Sequence, residues 1–116
     1  MDCVIITNND IVIRNFSKDK ESVIFTKKVN KVFEIAREYI MHGYHFYIHP
    51  LSLNIDVHKI PVKSLVLTEE CQCDMDEIAL IDGVLKKDFR PYNVALEDFK
   101  EIDAEVINDA LKEVRK

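Results

Sequence analysis

A single amphipathic segment constrains the fold of this chain more than any other feature of its sequence. Its apolar residues recur with the three- and four-residue spacing of an α-helix. They form one stripe that comprises Val29, Val32, Phe33, Ala36, Tyr39 and Ile40. Thr26 is placed to cap the start of this helix, and Gly43 lies just past its end, where a left-handed residue is favoured. The pattern therefore predicts a helix that packs one face against a core.

Short apolar runs around this helix predict the strands of a sheet. They are rich in β-branched and aromatic residues and cover residues 3–7, 23–25, 44–48 and 62–68. The first run has no polar alternation, which is typical of a strand buried on both faces. Residues 11–16 fit either a short helix or an irregular link, and the sequence leaves both open. Residues 51–61 are polar and bounded by proline, and we expect a loop over the rim of the sheet.

Two more helices follow the last predicted strand. Asp74 and Glu77 have the spacing of a capping box at the start of the first helix, and Pro91 stops it. The final helix carries an apolar stripe near the end of the chain, and its start fits either Asp98 or Asp103. Helices thus dominate the second half of the chain.

This order of elements predicts one α/β domain that spans residues 1–116. A chain of this length buries roughly two-thirds of its unfolded surface around one core. We expect a Rossmann-like three-layer fold with a mostly parallel sheet of about four strands, because crossovers between parallel strands pack helices on the sheet. If the first and third strands are neighbours, their carboxyl ends form the crevice where ligands of such sheets bind.

Charge and composition disfavour several classes of partner. The formal net charge is −5 and the isoelectric point is about 5.3, so the surface as a whole repels phosphate backbones and anionic lipids. No apolar run approaches the ~20 residues of a membrane span, and the first residues lack a basic leader. We therefore expect a cytoplasmic protein with no nucleic-acid and no membrane partner. Its odd number of cysteines favours reduced thiols.

Polar residues at the ends of the predicted strands are candidates for a binding site. The candidate residues are Thr7, Asn8, Asn9, His49, Ser52, Lys63 and Ser64. The two asparagines can hydrogen-bond a carboxylate or an amide, but they suit a turn equally well because asparagine bonds its own backbone. Lys63 can supply a cation to the same rim, or be merely exposed. We expect these residues to converge on the crevice at the carboxyl ends of the strands.

His49 is the most suggestive of these residues, because Pro50 fixes it in an extended conformation at the end of a strand. An imidazole in this place can serve as a general base or in an anion-binding site. The structural alternative is that His49 hydrogen-bonds a loop carbonyl while Pro50 ends the strand. The sequence has no G-x-S-x-G nucleophile elbow, and we assign no catalytic residue.

The histidines and cysteines invite a zinc hypothesis, but their spacing disfavours it. The residues concerned are His42, His45, His49, His58, Cys71 and Cys73. His45 and His49 are four apart in a predicted strand, which separates them by about 13 Å. Cys71 and Cys73 lack the C-x₂-C spacing of zinc loops and of thioredoxin-like redox sites. With no glycine-rich phosphate loop either, we predict no metal and no cofactor.

Four short motifs stand out in the first two-thirds of the chain: VIITNN at residues 4–9, FEIAREYIMHGYH at 33–45, HPLS at 49–52 and PVKS at 61–64. Together they resemble the GrdX family, whose members are small proteins encoded beside the glycine, sarcosine and betaine reductase components of amino-acid-fermenting anaerobes. The resemblance implies an accessory place in an anaerobic amino-acid reductase system. It carries no established reaction with it.

We therefore expect a GrdX-like accessory protein that binds a small polar ligand or a reductase component and is not itself the reductase. The alternative is a small enzyme that uses His49 as acid-base on a carbonyl or carboxylate substrate. A third hypothesis is a structural homodimer with its interface at the aromatic residues Tyr44, Phe46 and Tyr47.

Overall fold

The computed structural model describes residues 3–16, 22–51, 56–69 and 73–114. In chain order the elements are β1 (Cys3–Thr7), α1 (Asp10–Phe16), β2 (Ser22–Phe25), α2 (Val29–Met41), β3 (Tyr44–Phe46), a 3₁₀ turn (Val57–Lys59), β4 (Ser64–Glu69), α3 (Met75–Leu85) and α4 (Leu96–Val114). Residues 11–16, which the sequence left undecided, therefore belong to a helix. Within the described ranges, no helix combines the length and the apolar character that crossing a membrane requires.

The described strands form one mixed sheet in the order β2-β1-β4-β3. β1 and β2 pair in parallel. β4 lies between β1 and β3 and pairs antiparallel with both of them. In the β1–β4 register Thr7 stands opposite Ser64, so β4 begins level with the carboxyl end of β1.

The predicted mostly parallel, Rossmann-like sheet is wrong, although the protein is an α/β protein with a four-stranded sheet in its described part. β3 runs in the same direction as β1, and the chain then returns through residues 47–63 without a crossover helix in the described part. A parallel neighbour needs a crossover connection, whereas a chain that stays at one rim must run back antiparallel. β4 therefore separates β1 from β3, and the expected crevice between those two strands does not form.

Helices cover both faces of the sheet, and each face has its own apolar cluster. α2 and α3 pack on one face, with a cluster that includes Val4, Ile6, Phe33, Leu65, Leu67 and Ile81. α1 and α4 pack on the other, with a cluster that includes Ile5, Val12, Phe16, Val66, Ile107 and Leu111. All residues of β1 are buried, as the sequence predicts for a strand covered on both sides.

Helix α2 begins later than its sequence pattern predicts. The N-cap is Lys28, and no side-chain hydrogen bond from it caps the helix. Thr26 does not take the N-cap position because its backbone still belongs to the sheet: its N–H donates to the Thr7 carbonyl at 3.0 Å. At the other end Gly43 has a φ of 98°, the left-handed conformation that glycine adopts without a Cβ clash.

Candidate functional site

A chain of hydrogen bonds joins the end of β1 to the start of β4. The Thr7 and Ser64 hydroxyl oxygens are 2.6 Å apart, and Ser64 Oγ donates to Asp103 Oδ2 at 2.6 Å. The Asn9 backbone N–H donates to Thr7 Oγ1 at 2.9 Å. Because the Ser64 proton goes to the carboxylate, Thr7 must donate to Ser64, and the direction of every proton in the chain is fixed.

Asn9 and Asp103 close this arrangement against α4. Asn9 Nδ2 donates to Asp103 Oδ2 at 3.0 Å and to the Lys100 carbonyl at 2.9 Å. The Ser64 backbone N–H donates to Asp103 Oδ1 at 2.9 Å. We call Thr7, Asn9, Ser64 and Asp103 the β1–β4 network; all of them are buried. Its polar atoms form hydrogen bonds with one another. The network therefore stabilises the fold and does not offer free donors to a ligand.

Asn8 clamps the loop that precedes β4. Its Nδ2 donates to the Pro61 carbonyl at 3.0 Å, and its Oδ1 accepts from the Lys63 backbone N–H at 2.8 Å. The Lys63 side chain is only 6% exposed, and burial lowers the pKa of its ammonium group, with the charge of Asp103 partly opposing that shift. Among the residues that the structure describes, no carboxylate forms an ion pair with Lys63. The structure therefore brings Asn8 and Lys63 beside the network.

A cleft of about 380 Å³ opens where β1 ends and α2 begins. We call it the α2 cleft; its lining residues are Asn8, Lys27, Lys28, Val29, Asn30, Pro61, Phe89 and Pro91. The bond from Thr26 to Thr7 holds the chain before α2 beside the end of β1. The cleft therefore lies at the carboxyl end of a strand, although not between the two strands that the sequence suggested.

Hydrogen bonds to the 3₁₀ turn hold the opposite wall of the α2 cleft. The backbone N–H groups of Arg90 and Tyr92 donate to the carbonyls of His58 and Lys59 at 2.8 and 2.9 Å. The His58 ring packs against Phe89 with centroids 4.8 Å apart. This wall is thus held both by backbone hydrogen bonds and by the packing of these two rings.

The α2 cleft concentrates positive charge in a protein of net charge −5. Lys27 and Lys28 are exposed at the start of α2. A lysine at the N-cap cannot accept hydrogen bonds from the first-turn N–H groups, because an ammonium group has only donors. The helix dipole adds partial positive charge at the same end. The cleft is therefore suited to a small anion.

His49 lies in a different place from the other candidate residues. It is exposed and borders a pocket of about 370 Å³ together with Asp74 and Glu77 at the start of α3. Its Nδ1 accepts from the Leu51 backbone N–H at 3.1 Å. In the described part of the chain no contact links His49 to the β1–β4 network. Ser52 lies outside the described residues.

A second cluster of ligand-type side chains joins β3 to α3. We call His45, Asp74 and Glu77 the β3–α3 cluster; one nitrogen or oxygen atom from each lies within 4.8 Å of the others. His45 Nδ1 is 3.2 Å from Glu77 Oε1. The predicted N-cap at Asp74 is confirmed, since its carboxylate accepts from the backbone of Asp76 and Glu77. Glu77 reaches β3, where its carboxylate accepts from the Phe46 N–H.

Sequence reasoning missed several of these roles. Lys27 and Lys28 come one residue after a strand, a position that indicates a ligand end of a sheet, but with Lys31 they also have the pattern of a solvated helix face. Asp103 resembles one more N-cap candidate, and only the docking of α4 shows its partner Ser64. No local signal in the sequence reports such a long-range contact.

Together the fold and its clefts define a small α/β domain with a mixed sheet and a cationic cleft at the end of its first strand. The chain matches the family model described as GrdX-like protein over residues 4–112, and it belongs to that family. The resemblance of its sequence motifs to the GrdX family is thereby confirmed. No curated protein and no solved structure matches the chain.

Proposed function

We propose that this GrdX-like protein is a cytoplasmic accessory component of anaerobic amino-acid reductase systems and binds a small carboxylate in the α2 cleft. Family membership supports the accessory role. The observation that carries the ligand class is the start of α2, where Lys27 and Lys28 line a cleft at the carboxyl end of β1. Glycine, sarcosine and betaine, the substrates of such reductases, all carry a carboxylate.

The polar groups that line the α2 cleft have different roles in recognition of the carboxylate. Lys27 and Lys28 supply cations to a carboxylate, and the first turn of α2 supplies backbone N–H donors and a favourable dipole. Asn8 holds Pro61, which forms part of the wall, through its hydrogen bond at 3.0 Å. Thr7, Asn9 and Ser64 support this wall from within and do not contact the ligand directly.

Calorimetric titration of the full chain tests the ligand class. Glycine, sarcosine and betaine should bind, whereas glycinamide, which lacks the carboxylate, should bind at least about tenfold more weakly because charge-assisted hydrogen bonds are lost. The paired substitution Lys27→Ala with Lys28→Ala should reduce carboxylate affinity about tenfold at low salt, since each exposed ion pair contributes less than about 1 kcal/mol.

Lys112→Ala is the control for overall charge, because it removes one positive charge, half of the change in the double variant, from a position on α4 that does not line the α2 cleft. Its affinity for carboxylates should equal that of the natural protein. Glycinamide binding as tightly as glycine, or an unchanged affinity in the double variant, would remove the α2 cleft as a carboxylate site. A similar loss in Lys112→Ala would instead indicate a general charge effect and contradict the assignment.

The accessory role has a separate test. Tagged protein purified anaerobically from cells that express the reductase system should retain a reductase component at low and at moderate salt. His49→Ala runs alongside, because His49 borders the pocket at α3 and not the α2 cleft. Retention by neither protein would contradict the accessory role while leaving carboxylate binding to be judged by titration alone.

A further inference from the structure

The ligand atoms of the β3–α3 cluster lie slightly farther apart than those of a metal-bound site. Tetrahedral zinc with bonds of about 2.0–2.2 Å places its ligand atoms roughly 3.3 Å apart. His45 Nδ1 and Glu77 Oε1 are already 3.2 Å apart, and the whole set lies within 4.8 Å.

Backbone donors orient both carboxylates of the cluster. Asp74 Oδ1 accepts from the N–H groups of Asp76 at 2.9 Å and Glu77 at 3.4 Å. The Phe46 N–H donates to both Glu77 oxygens, at 3.2 and 3.1 Å. Outer hydrogen bonds of this kind fix the ligands of metal sites and limit the entropy that binding costs. Hydrogen bonds from the main chain therefore hold the two carboxylates in place.

Charge and burial favour a dication here. The side chains of His45 and Glu77 are only 20% and 17% exposed, so water screens the cluster weakly. Two carboxylates beside one imidazole leave net negative charge when the ring is neutral, and a dication offsets it. An imidazole in the donor set disfavours magnesium and calcium, which prefer all-oxygen sites, and favours a transition metal.

The cluster also has an open side. Asp74 and Glu77 border the pocket of about 370 Å³ that His49 lines. Because His49 Nδ1 accepts from the Leu51 N–H, a neutral His49 ring carries its proton on Nε2, which leaves that nitrogen as a donor. Three protein ligands with an adjoining cavity are typical of zinc sites that keep one position for water or substrate.

We propose that His45, Asp74 and Glu77 bind a divalent transition-metal ion, with an open coordination position facing the pocket beside His49. This site is independent of the α2 cleft and of the proposed carboxylate ligand. The spacing argument excluded only a shared ion for His45 and His49; here the N-cap and the first turn of α3 supply the other two ligands.

Zinc titration by calorimetry tests the site in a full-length background carrying Cys71→Ser and Cys73→Ser, which removes competing thiols. We expect one zinc per chain. Asp74→Asn and Glu77→Gln should each weaken zinc binding at least about tenfold while keeping an acceptor for the backbone donors. Circular dichroism and thermal unfolding verify that both variants remain folded.

Asp76→Asn is the matched control, because Asp76 borders the same pocket but is not a member of the cluster. Its zinc affinity should stay within about twofold of the background. Zinc should also shift the ring-nitrogen NMR signals of His45 and leave those of His42 unchanged. Equal losses in Asp76→Asn, magnesium binding as tight as zinc, or no zinc bound per chain would each overturn the proposal.

Discussion

The β1–β4 network and the β3–α3 cluster are both built from carboxylates and polar side chains that meet across distant elements, yet they differ in what remains unsatisfied. In the network, Asp103 is 8% exposed and accepts from Asn9 and Ser64 through both of its oxygens. In the cluster, the carboxylates of Asp74 and Glu77 border a pocket. The comparison teaches that residue type alone does not distinguish a binding site from a structural hydrogen-bond network. What distinguishes them is whether polar groups can still reach a further partner after folding.

The sequence alone cannot make that distinction. Thr7, Asn9 and Ser64 have the residue types of a ligand site, but folding engages their polar groups with one another. A buried polar group whose bonds are complete gains nothing from a ligand and loses much when a partner is removed. The two regions should therefore respond to substitution in opposite ways, the network through stability and the cluster through binding.

Removing the centre of the network should have the largest effect on stability. Asp103→Ala removes the buried acceptor of the Ser64 backbone N–H and of the Ser64 hydroxyl, and one of the two acceptors of the Asn9 amide. We expect a loss of about 3 kcal/mol in the free energy of unfolding, measured by urea denaturation. Asp109→Ala, an exposed substitution on the same helix, should change it by less than about 0.5 kcal/mol.

A small effect of Asp103→Ala, equal to that of Asp109→Ala, would mean that water replaces the carboxylate easily. The network would then be open to solvent, and the contrast with the β3–α3 cluster would disappear. Carboxylate binding in the α2 cleft serves as a second readout for Asp103→Ala. Because the network contacts no ligand, the substitution should reduce carboxylate binding only in proportion to the fraction of protein that it unfolds.

Lys63→Met should change stability in the opposite direction. Methionine fills a similar volume without the cost of burying an ammonium group, and we expect a gain on the order of 1 kcal/mol near neutral pH. Burial lowers the pKa of Lys63, so the unfolded state binds more protons between the lowered pKa and 10.5. The natural protein therefore gains stability as pH rises through that window.

Denaturation curves from neutral to strongly alkaline pH check this prediction. The advantage of Lys63→Met should be full below the lowered pKa of the folded state, shrink as pH rises towards 10.5, and reach its minimum only above 10.5, where the lysine is neutral in both states. Lys59→Met, at an exposed lysine of the 3₁₀ turn, is the matched control and should show no such convergence. A constant advantage at every pH would indicate a packing effect and not a charge effect.

Local pattern predicted the elements better than their arrangement. The stripe that begins at Val29 and the N-cap at Asp74 depend on neighbours in sequence, and both appear in the structure. The direction of β4 depends on where the chain re-enters the sheet. A loop that stays at the rim begins the next strand from the same edge, so the loop predicted for residues 51–61 favoured an antiparallel return over the Rossmann-like order.

The site was predictable only in part for the same reason. Asn8 follows β1 and borders the α2 cleft, and its role as a ligand-binding residue stays a prediction. Ser64 and Asp103 are 39 residues apart, and their contact exists only because α4 docks at the start of β4. His49 was expected beside Thr7, but it follows β3, and β4 separates β3 from β1. Non-local packing therefore decided which candidates meet.

The smallest predicted effect on stability separates capping from metal binding at Asp74. Asp74→Ala should lower the free energy of unfolding by about 1 kcal/mol, because the N–H groups of Asp76 and Glu77 lose their acceptor. Asp74→Asn should be nearly neutral, since asparagine is an equally good N-cap. Chemical denaturation of both variants without metal measures this difference.

Added zinc then sharpens the comparison between the two regions. A metal that binds only the folded state raises stability in proportion to its affinity. Zinc should therefore stabilise the Cys71→Ser, Cys73→Ser background more than the same background carrying Asp74→Asn, although the two unfold alike without metal. It should stabilise Asp103→Ala as much as it does that background, because the β1–β4 network shares no residue with the β3–α3 cluster. Equal stabilisation of the background and of Asp74→Asn would show that Asp74 acts as a helix cap alone.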